Sequence, residues 1–300
     1  MNAIEIRDLK KSFHGMHALN GLNMTVPVGA IYGFIGENGS GKSTTEKLIC
    51  GHLVKDGGSI KLFGKDYTDA DIRMKVGALI ENAGCFPNSS IYTNLKMQAL
   101  NLGITDIDAE IQRVLRIVKM QEHAQLKFKK CSLGMKQRVG IAMALLGSPA
   151  LLILDEPING LDTDGMKMMR KILVDITQNY HCTVLISSHI LGELEKIATH
   201  YGIIRQGRMV QEITAQAMDA RARIFIAYKV AEAEKACELL RKQYANVRCE
   251  QGYVRVYDVA DVEAVTKYLL DNHIVPSEIK QNKVGLEEYY LEVMTQKEGQ

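Results

Sequence analysis

Gly36-Glu37-Asn38-Gly39-Ser40-Gly41-Lys42-Ser43-Thr44 is the stretch that decides the fold. It follows an apolar, strand-like run over 30–35 and precedes 45–50, which is predicted to be helical. A strand, a glycine-rich loop and a helix in this order indicate a phosphate-binding loop. Glycines let backbone N–H groups face phosphate oxygens, and a helix N-terminus already favours negative charge. The residues predicted to bind the phosphates of a nucleotide are therefore Gly36, Asn38, Gly39, Ser40, Gly41, Lys42, Ser43 and Thr44.

Two of these loop residues have distinct predicted roles. The Lys42 ammonium is predicted to reach the terminal phosphates, and the Ser43 hydroxyl to ligate Mg²⁺. ATP and Mg²⁺ are thus the expected ligands.

Length and charge limit the classes of protein that the chain can belong to. Its 300 residues exceed what one core usually holds, so we predict one large domain and a smaller one. The 37 basic and 35 acidic residues leave a net charge of +2, which gives no reason to expect a nucleic-acid partner. The six cysteines contain no C-x-x-C pair, which favours reduced, packing thiols of a cytosolic protein.

No segment of the sequence is typical of a membrane span or a secretory signal. The first residues lack an apolar stretch, and the longest apolar run, Val139 to Leu154, is interrupted by Ser148-Pro149. We expect a chain that is soluble by itself, and any association with a membrane must then come through a partner.

A second candidate site follows the apolar run Leu151 to Leu154, which suits a central parallel strand and ends in Asp155-Glu156. Carboxylates at the carboxyl end of such a strand face the crevice where ligands bind in open α/β sheets. Asp155 is predicted to hold Mg²⁺, and Glu156 to be the general base for the attacking water. An isolated Asp-Glu pair is usually a solvated turn. Here the buried strand and the upstream phosphate loop favour the functional interpretation.

His189 and Phe13 are further candidates, His189 as a catalytic residue beside Glu156 and Lys42, and Phe13 as a nucleotide-binding residue. His189 closes the next predicted strand, after Cys182 to Ile186, at the same sheet edge as Asp155, so it can reach a γ-phosphate although a lone histidine is more often structural. Phe13 lies upstream of the loop. An aromatic ring at this place can stack on adenine or be buried in the core, and the sequence does not favour either alternative.

Further along the chain, the spacing of apolar residues from Pro87 to about Lys130 predicts an inserted helical region. It is followed by Ser-x-Gly-x-Lys-Gln-Arg from Ser132, then by the acidic strand end, Asn-Gly-Leu-Asp ending at Asp162, and Ser-Ser-His. The order of these motifs resembles the nucleotide-binding subunit of an ABC transporter, over residues 1 to about 215. The resemblance implies an α/β P-loop NTPase core with an antiparallel β subdomain and a helical insert at about 86–140.

The resemblance also implies roles for single residues. Phe13 corresponds to the adenine-stacking aromatic, Asp162 to the D-loop aspartate and His189 to the switch histidine. Ser132 and Gly134 correspond to the part of the signature that contacts a γ-phosphate. The family signature is Leu-Ser-Gly-Gly-Gln, whereas this chain has Cys-Ser-Leu-Gly-Met over 131–135.

A further departure lies at the Q-loop position, where a glutamine usually meets Mg²⁺ and the membrane partner. This chain has Glu81 there, and a carboxylate would bind the metal more strongly than an amide but repel the triphosphate. Leu-Ile-Glu-Asn at this point, together with the signature segment, resembles the bacitracin and lantibiotic immunity branch of these transporters. That branch implies export of, or resistance to, a peptide antibiotic.

The resemblance implies partners as well. The insert holds the signature segment away from the phosphate loop of its own chain, so two cassettes, identical or not, are expected to pair head to tail. A separate membrane permease is expected to dock on the segment after Glu81, which includes Phe86, Pro87 and Tyr92, and to place the pair at the cytoplasmic face of the membrane. The apolar residues of this segment equally fit the core of the insert.

Two other classes of function are weighed against transport. Soluble ABC proteins that act on ribosomes or DNA usually have two cassettes in one chain or a long coiled-coil insertion, and neither is present. A nucleotide-dependent binding module without turnover would not need Glu156 as a base.

The remaining residues, 216–300, have no chemical motif. Their pattern predicts strands and helices in the order βαββαβ, with a hairpin over 247–257 turning at Gln251-Gly252 and a closing helix from Leu286 to Met294. We therefore predict a small ferredoxin-like α+β accessory domain.

Overall fold

The computed structural model describes residues 1–221, 223–250, 252–259 and 261–296. The chain divides into two compact units, Met1–Ala215 and Gln216–Gln300. The phosphate loop, the acidic strand end and the signature segment all belong to the first unit.

A six-stranded sheet forms the centre of the first unit, in the order β10-β9-β3-β8-β7-β6. The pairings from β9 to β6 are parallel, and β10 pairs antiparallel with β9 at the edge. The carboxyl ends of the parallel strands therefore lie at one edge of the sheet, where ligands bind in such folds. The strands are β3 (Ile31–Ile35), β6 (Val76–Leu79), β7 (Leu151–Asp155), β8 (Thr183–Ser188), β9 (His200–Arg205) and β10 (Arg208–Thr214).

A four-stranded antiparallel sheet, ordered β2-β1-β4-β5, is the predicted β subdomain. Its alternating apolar residues are buried, including Ile4, Ile6 and Leu9. Phe13, at the end of β1, is 39% exposed, which rules out the alternative of a buried core aromatic. The strands are β1 (Asn2–Phe13), β2 (Met16–Pro27), β4 (Gly57–Leu62) and β5 (Lys65–Asp66).

Seven α-helices of the first unit are described, and three of them, α3, α4 and α5, pack together as the predicted helical insert. The last of the three begins at Leu133, six residues before the apolar run that starts at Val139, because the Ser132 side chain caps it by accepting a hydrogen bond from the Met135 N–H at 3.3 Å. The helices are α1 (Lys42–Ile49), α2 (Ala70–Arg73), α3 (Ile91–Asn101), α4 (Ile107–Ile117), α5 (Leu133–Leu145), α6 (Thr163–Tyr180) and α7 (Leu191–Leu194).

The second unit has its own sheet, ordered β12-β13-β11-β14, in which every pairing is antiparallel. Two helices, α9 and α10, bury apolar residues in a core with this sheet. Gln251, in the predicted hairpin turn, lies outside the described residues. Short α8 (Ala215–Arg221) precedes the elements β11 (Ile224–Lys229), α9 (Ala233–Arg241), β12 (Val247–Glu250), β13 (Tyr253–Tyr257), α10 (Val262–Asp271), β14 (Glu278–Lys283) and α11 (Leu286–Gln296).

None of the helices in the described part of the chain is both long enough and apolar enough to cross a membrane.

Candidate nucleotide-binding site

The phosphate loop joins the end of β3 to the start of α1, and its backbone is packed too closely for side chains at two of its glycines. Gly41 has a φ of +111°, and a Cβ there would lie 2.7 Å from the Leu19 side chain and 2.8 Å from the Ala18 carbonyl oxygen. A Cβ at Gly36 would lie 2.5 Å from the Ile204 carbonyl oxygen. These glycines allow the loop to fold onto β2 and β9 and to leave its concave side open.

Lys42 lies at the first position of α1 and is only 7% exposed. Its Nζ donates hydrogen bonds to the carbonyl oxygens of Gly36, at 2.6 Å, and Glu37, at 3.0 Å. Burial lowers the pKa of this ammonium, and the negative charge of Glu156 is the largest opposing influence on that pKa. The ammonium is thus held inside the loop by neutral acceptors, and an anion would form stronger, charge-assisted hydrogen bonds with it.

Asp155 connects the acidic strand end to the loop. Its Oδ2 accepts a hydrogen bond from the Ser43 hydroxyl at 3.3 Å, and its Oδ1 accepts one from the Ser187 hydroxyl at 2.7 Å. A hydroxyl and a carboxylate oxygen are hard ligands that suit Mg²⁺, which usually takes few protein ligands and keeps waters or substrate phosphates for the rest. The described residues contain no cluster of three or more His, Cys, Asp or Glu side chains that could hold a metal ion. With phosphate oxygens supplied by a nucleotide, the hydroxyl of Ser43 and the carboxylate of Asp155 fit a bound Mg²⁺ ion.

Glu156 has a backbone conformation that is uncommon for a non-glycine residue, with a φ of +49°. Its N–H is hydrogen-bonded to the Ser187 carbonyl oxygen at 3.1 Å. Its Oε2 lies 2.9 Å from Nδ1 of His189, so the two predicted catalytic side chains are in contact. The conformation orients a carboxylate that can accept a proton, with the imidazole as its neighbour.

The phosphate loop and the two carboxylates, Asp155 and Glu156, line one cavity of about 260 Å³. Phe13 does not line it: the ring is exposed at the end of β1, with Nζ of Lys11 5.3 Å from its centroid. Of the other predicted residues, Gly36 packs against Ile204, Ser40 is buried in the loop, and His189 is connected through Glu156. The lining residues are Ala18, Asn38, Gly39, Gly41, Lys42, Ser43, Thr44, Asp155 and Glu156.

The signature segment and the D-loop lie elsewhere, around a second cavity of about 470 Å³. Ser132 and Gly134 line it at the N-terminus of α5, and Asp162 lines it at the N-terminus of α6, which it caps by accepting a hydrogen bond from the Gly165 N–H at 2.9 Å. The two cavities share no lining residue. One chain therefore presents the two halves of the predicted site at separate places.

The structure does not bring Glu81 to the Ser43–Asp155 pair. Glu81 has a φ of +64°, and its Oε1 accepts a hydrogen bond from Lys47 Nζ on α1 at 2.6 Å. This hydrogen bond, and then the charge of Lys47, lower the pKa of the carboxyl. Glu81 lines a third cavity of about 330 Å³, together with Leu133 and Gln137 of α5. It is thus anchored to the phosphate-loop helix through Lys47.

Two residues near the site were missed from the sequence. The Ser187 hydroxyl donates to Asp155 Oδ1 and accepts a hydrogen bond from the Glu156 backbone N–H, at 3.2 Å, so it connects the Asp155 carboxylate to the backbone of Glu156. Glu46, on α1, is fully buried, and neither of its carboxylate oxygens has a hydrogen-bond partner. Burial, and then the charge of Asp155, raise the pKa of Glu46 to about 8. Its position three residues after Ser43 places it on the same helix face, but a lone glutamate there normally faces water, so the sequence did not indicate its burial.

The chain is similar to known proteins over most of its length. The family model for ABC transporters matches residues 19–159. The bacitracin transport ATP-binding protein BcrA of Bacillus licheniformis is 35% identical over 297 residues, an alignment that covers 97% of each chain. The chain belongs to the ABC transporter ATP-binding proteins. The predicted ABC resemblance is therefore confirmed, and the chain is an ATP hydrolase whose activity is coupled to transport.

Two further comparisons support this ABC assignment. The lantibiotic transport ATP-binding protein SrtF of Streptococcus pyogenes is 41% identical over 209 residues, which cover 70% of this chain and 90% of SrtF. The structure of cbiO1 from Clostridium perfringens, part of the ABC transporter complex cbiONQ, matches with a TM-score of 0.67 and 26% identity, over 73% of this chain and 91% of cbiO1. The predicted fold class is confirmed, as is the similarity to the bacitracin and lantibiotic branch.

Proposed function

We propose that two cassettes bind ATP between them, each phosphate loop facing the Ser132–Gly134 segment of the other cassette, and that hydrolysis powers a separate membrane permease. The observation that carries this proposal is the separation of the two cavities in one chain. A phosphate loop without a signature segment is half a site, and a head-to-tail pair completes two such sites at once.

Within each site, the roles of this chain's own residues follow from their contacts. Lys42 binds the terminal phosphates in place of the carbonyl oxygens of Gly36 and Glu37. Ser43 and Asp155 would hold Mg²⁺, which when bound offsets phosphate charge. Glu156 accepts the proton of the attacking water while His189 fixes its orientation.

The remaining predicted residues bind and position the nucleotide. The exposed ring of Phe13 stacks on adenine after its contact with Lys11 is given up. Ser132, Gly134 and Asp162 of the opposite cassette approach the γ-phosphate. Once that phosphate is removed by hydrolysis, the bridge between the cassettes is lost and the pair opens.

The relatives suggest the transported substrate, because two of them are named for the transport of bacitracin and of lantibiotics. We infer that the permease served by this chain exports, or confers resistance to, a peptide antibiotic. In this proposal, residues 1–215 are the nucleotide-binding domain, 216–300 are an accessory domain, and the pair of cassettes lies peripherally at the cytoplasmic face of the membrane.

A capture experiment tests this function. The Glu156→Gln chain, which is expected to stay closed in ATP, is used as bait in native membranes, with the Lys42→Ala chain as a matched control that does not close. We expect an integral membrane protein of several spans with the first bait in ATP and much less with the control. Recovery of ribosomes, of DNA or of no membrane protein would contradict coupling to a permease.

A further inference from the structure

Glu46 lies directly behind the metal-binding part of the site. It is on α1, three residues after Ser43, and these two residues share a helix face. The helix packs against β7, the strand that ends at Asp155. The Glu46 side chain is 0% exposed. A carboxylate therefore occupies a core position between the phosphate-loop helix and the strand that supplies the predicted metal ligand.

The surroundings of the Glu46 carboxylate do not stabilise it by hydrogen bonds. Within the described part of the chain, Glu46 is the only residue with both carboxylate oxygens buried and without a hydrogen-bond partner. The neighbouring hydroxyl of Ser187 is donated to Asp155 Oδ1, at 2.7 Å. An unpaired buried carboxylate costs several kcal/mol, so an apolar residue would make the fold more stable. A function of the site accounts better for Glu46 than its contribution to folding.

The charges around Glu46 indicate which ligand it serves. Those that act on it are the carboxylates of Asp155 and Glu156 and the ammonium of Lys42. This single ammonium is directed at the carbonyl oxygens of Gly36 and Glu37. The three carboxylates of Glu46, Asp155 and Glu156 therefore have no cation directed at them near Ser43 and Asp155. A divalent cation bound there would supply the missing positive charge.

We propose that Glu46 is a positioning residue for Mg²⁺, which strengthens the hold of the Ser43–Asp155 pair on the metal from behind without being a ligand itself. It acts through its charge, from a position beside Ser187, whose hydroxyl orients Asp155. Such supporting groups tune the affinity of metal sites. The inference rests on the proposed function, in which Mg²⁺ and nucleotide bind together.

The test measures binding of an N-methylanthraniloyl ATP to the full-length chain by fluorescence, first in EDTA and then in a titration with Mg²⁺. The titrations are made at pH 9, where the Glu46 carboxyl is ionised. Glu46→Gln then removes the charge and keeps the shape, and Glu46→Met places an apolar side chain of similar length there. Glu195→Gln removes an exposed carboxylate that does not line the nucleotide cavity and is the control.

We expect both Glu46 variants to need about tenfold more Mg²⁺ for half-maximal binding, the lower end of the range for supporting groups. Their affinity in EDTA should stay within about twofold of the wild-type value, and the control should match the wild-type chain throughout. A wild-type Mg²⁺ midpoint in a folded Glu46 variant would overturn the inference, as would an equal loss of affinity with and without metal. Failure of the wild-type chain to bind nucleotide would instead contradict the proposed function.

Discussion

Replacing Glu46 by glutamine should stabilise the first unit in a way that depends on pH. The pKa of Glu46 is raised from 4.5 to about 8 in the folded chain, by burial and by Asp155. Between these two pH values the folded chain binds more protons than the unfolded chain, so its stability falls as the pH rises. Glutamine does not titrate and avoids this loss.

The magnitude follows from the two pKa values. Each pH unit of difference corresponds to about 1.4 kcal/mol, so the destabilisation is about 5 kcal/mol once the pH exceeds 8. Below pH 4.5 the carboxyl is protonated in both states, and this contribution disappears. The stability difference between Glu46→Gln and the wild-type chain should therefore grow by about 1.4 kcal/mol per pH unit across this window and then level off.

Urea unfolding followed by circular dichroism, at intervals from pH 4.5 to pH 9 in EDTA, measures this difference. The full-length wild-type, Glu46→Gln and Glu195→Gln chains are compared at each pH. We expect the Glu195→Gln curve to run parallel to the wild-type curve. A Glu46→Gln difference that is constant with pH, or that grows toward acid, would refute the assignment of a buried, unpaired carboxyl.

Three further substitutions test the nucleotide site. Lys42→Ala should weaken ATP binding about ten- to a hundredfold, because hydrogen bonds to the phosphates from a charged donor are lost; calorimetry with an unchanged dissociation constant would exclude this role. Glu156→Gln should keep ATP binding and lower the turnover rate by a factor of about 10² or more, because an amide does not accept the proton of water. Phosphate release at the wild-type rate would contradict the role of Glu156 as general base. Glu81→Gln breaks the exposed ion pair with Lys47 and should leave ATP affinity nearly unchanged while it alters permease-stimulated ATPase activity. Equal losses in both assays would argue against a coupling role.

The parts of the site that the sequence predicted are those in which neighbouring residues act together. Glycines, lysine and serine of the phosphate loop are contiguous, and Asp155-Glu156 directly follows an apolar strand, so local pattern places them. The Lys47–Glu81 ion pair joins residues 34 positions apart, and no local pattern indicates it. Burial of Glu46 was equally hidden, because a lone glutamate on a short helix normally faces water and only the packing of α1 on β7 reverses that.

One helix boundary and the exposure of one aromatic ring also depended on capping or tertiary contacts. The helix α5 begins six residues before its apolar run, since Ser132 caps it and the signature segment becomes its first turn. For Phe13 the sequence allowed two alternatives, stacking on adenine and burial in the core. Its exposure follows from its place at the end of a hairpin strand, in register with Met16.

The separation of the two cavities within one chain has a consequence for inheritance. In a pair of identical cassettes, a chain with an inactivating substitution at Lys42 still has a functional Ser132, and a chain with one at Ser132 still has a functional Lys42. A mixed dimer of the two single variants has one complete site out of two. A dimer in which both chains have both substitutions has none. Defects of these two classes should therefore complement each other in a cell that carries both alleles.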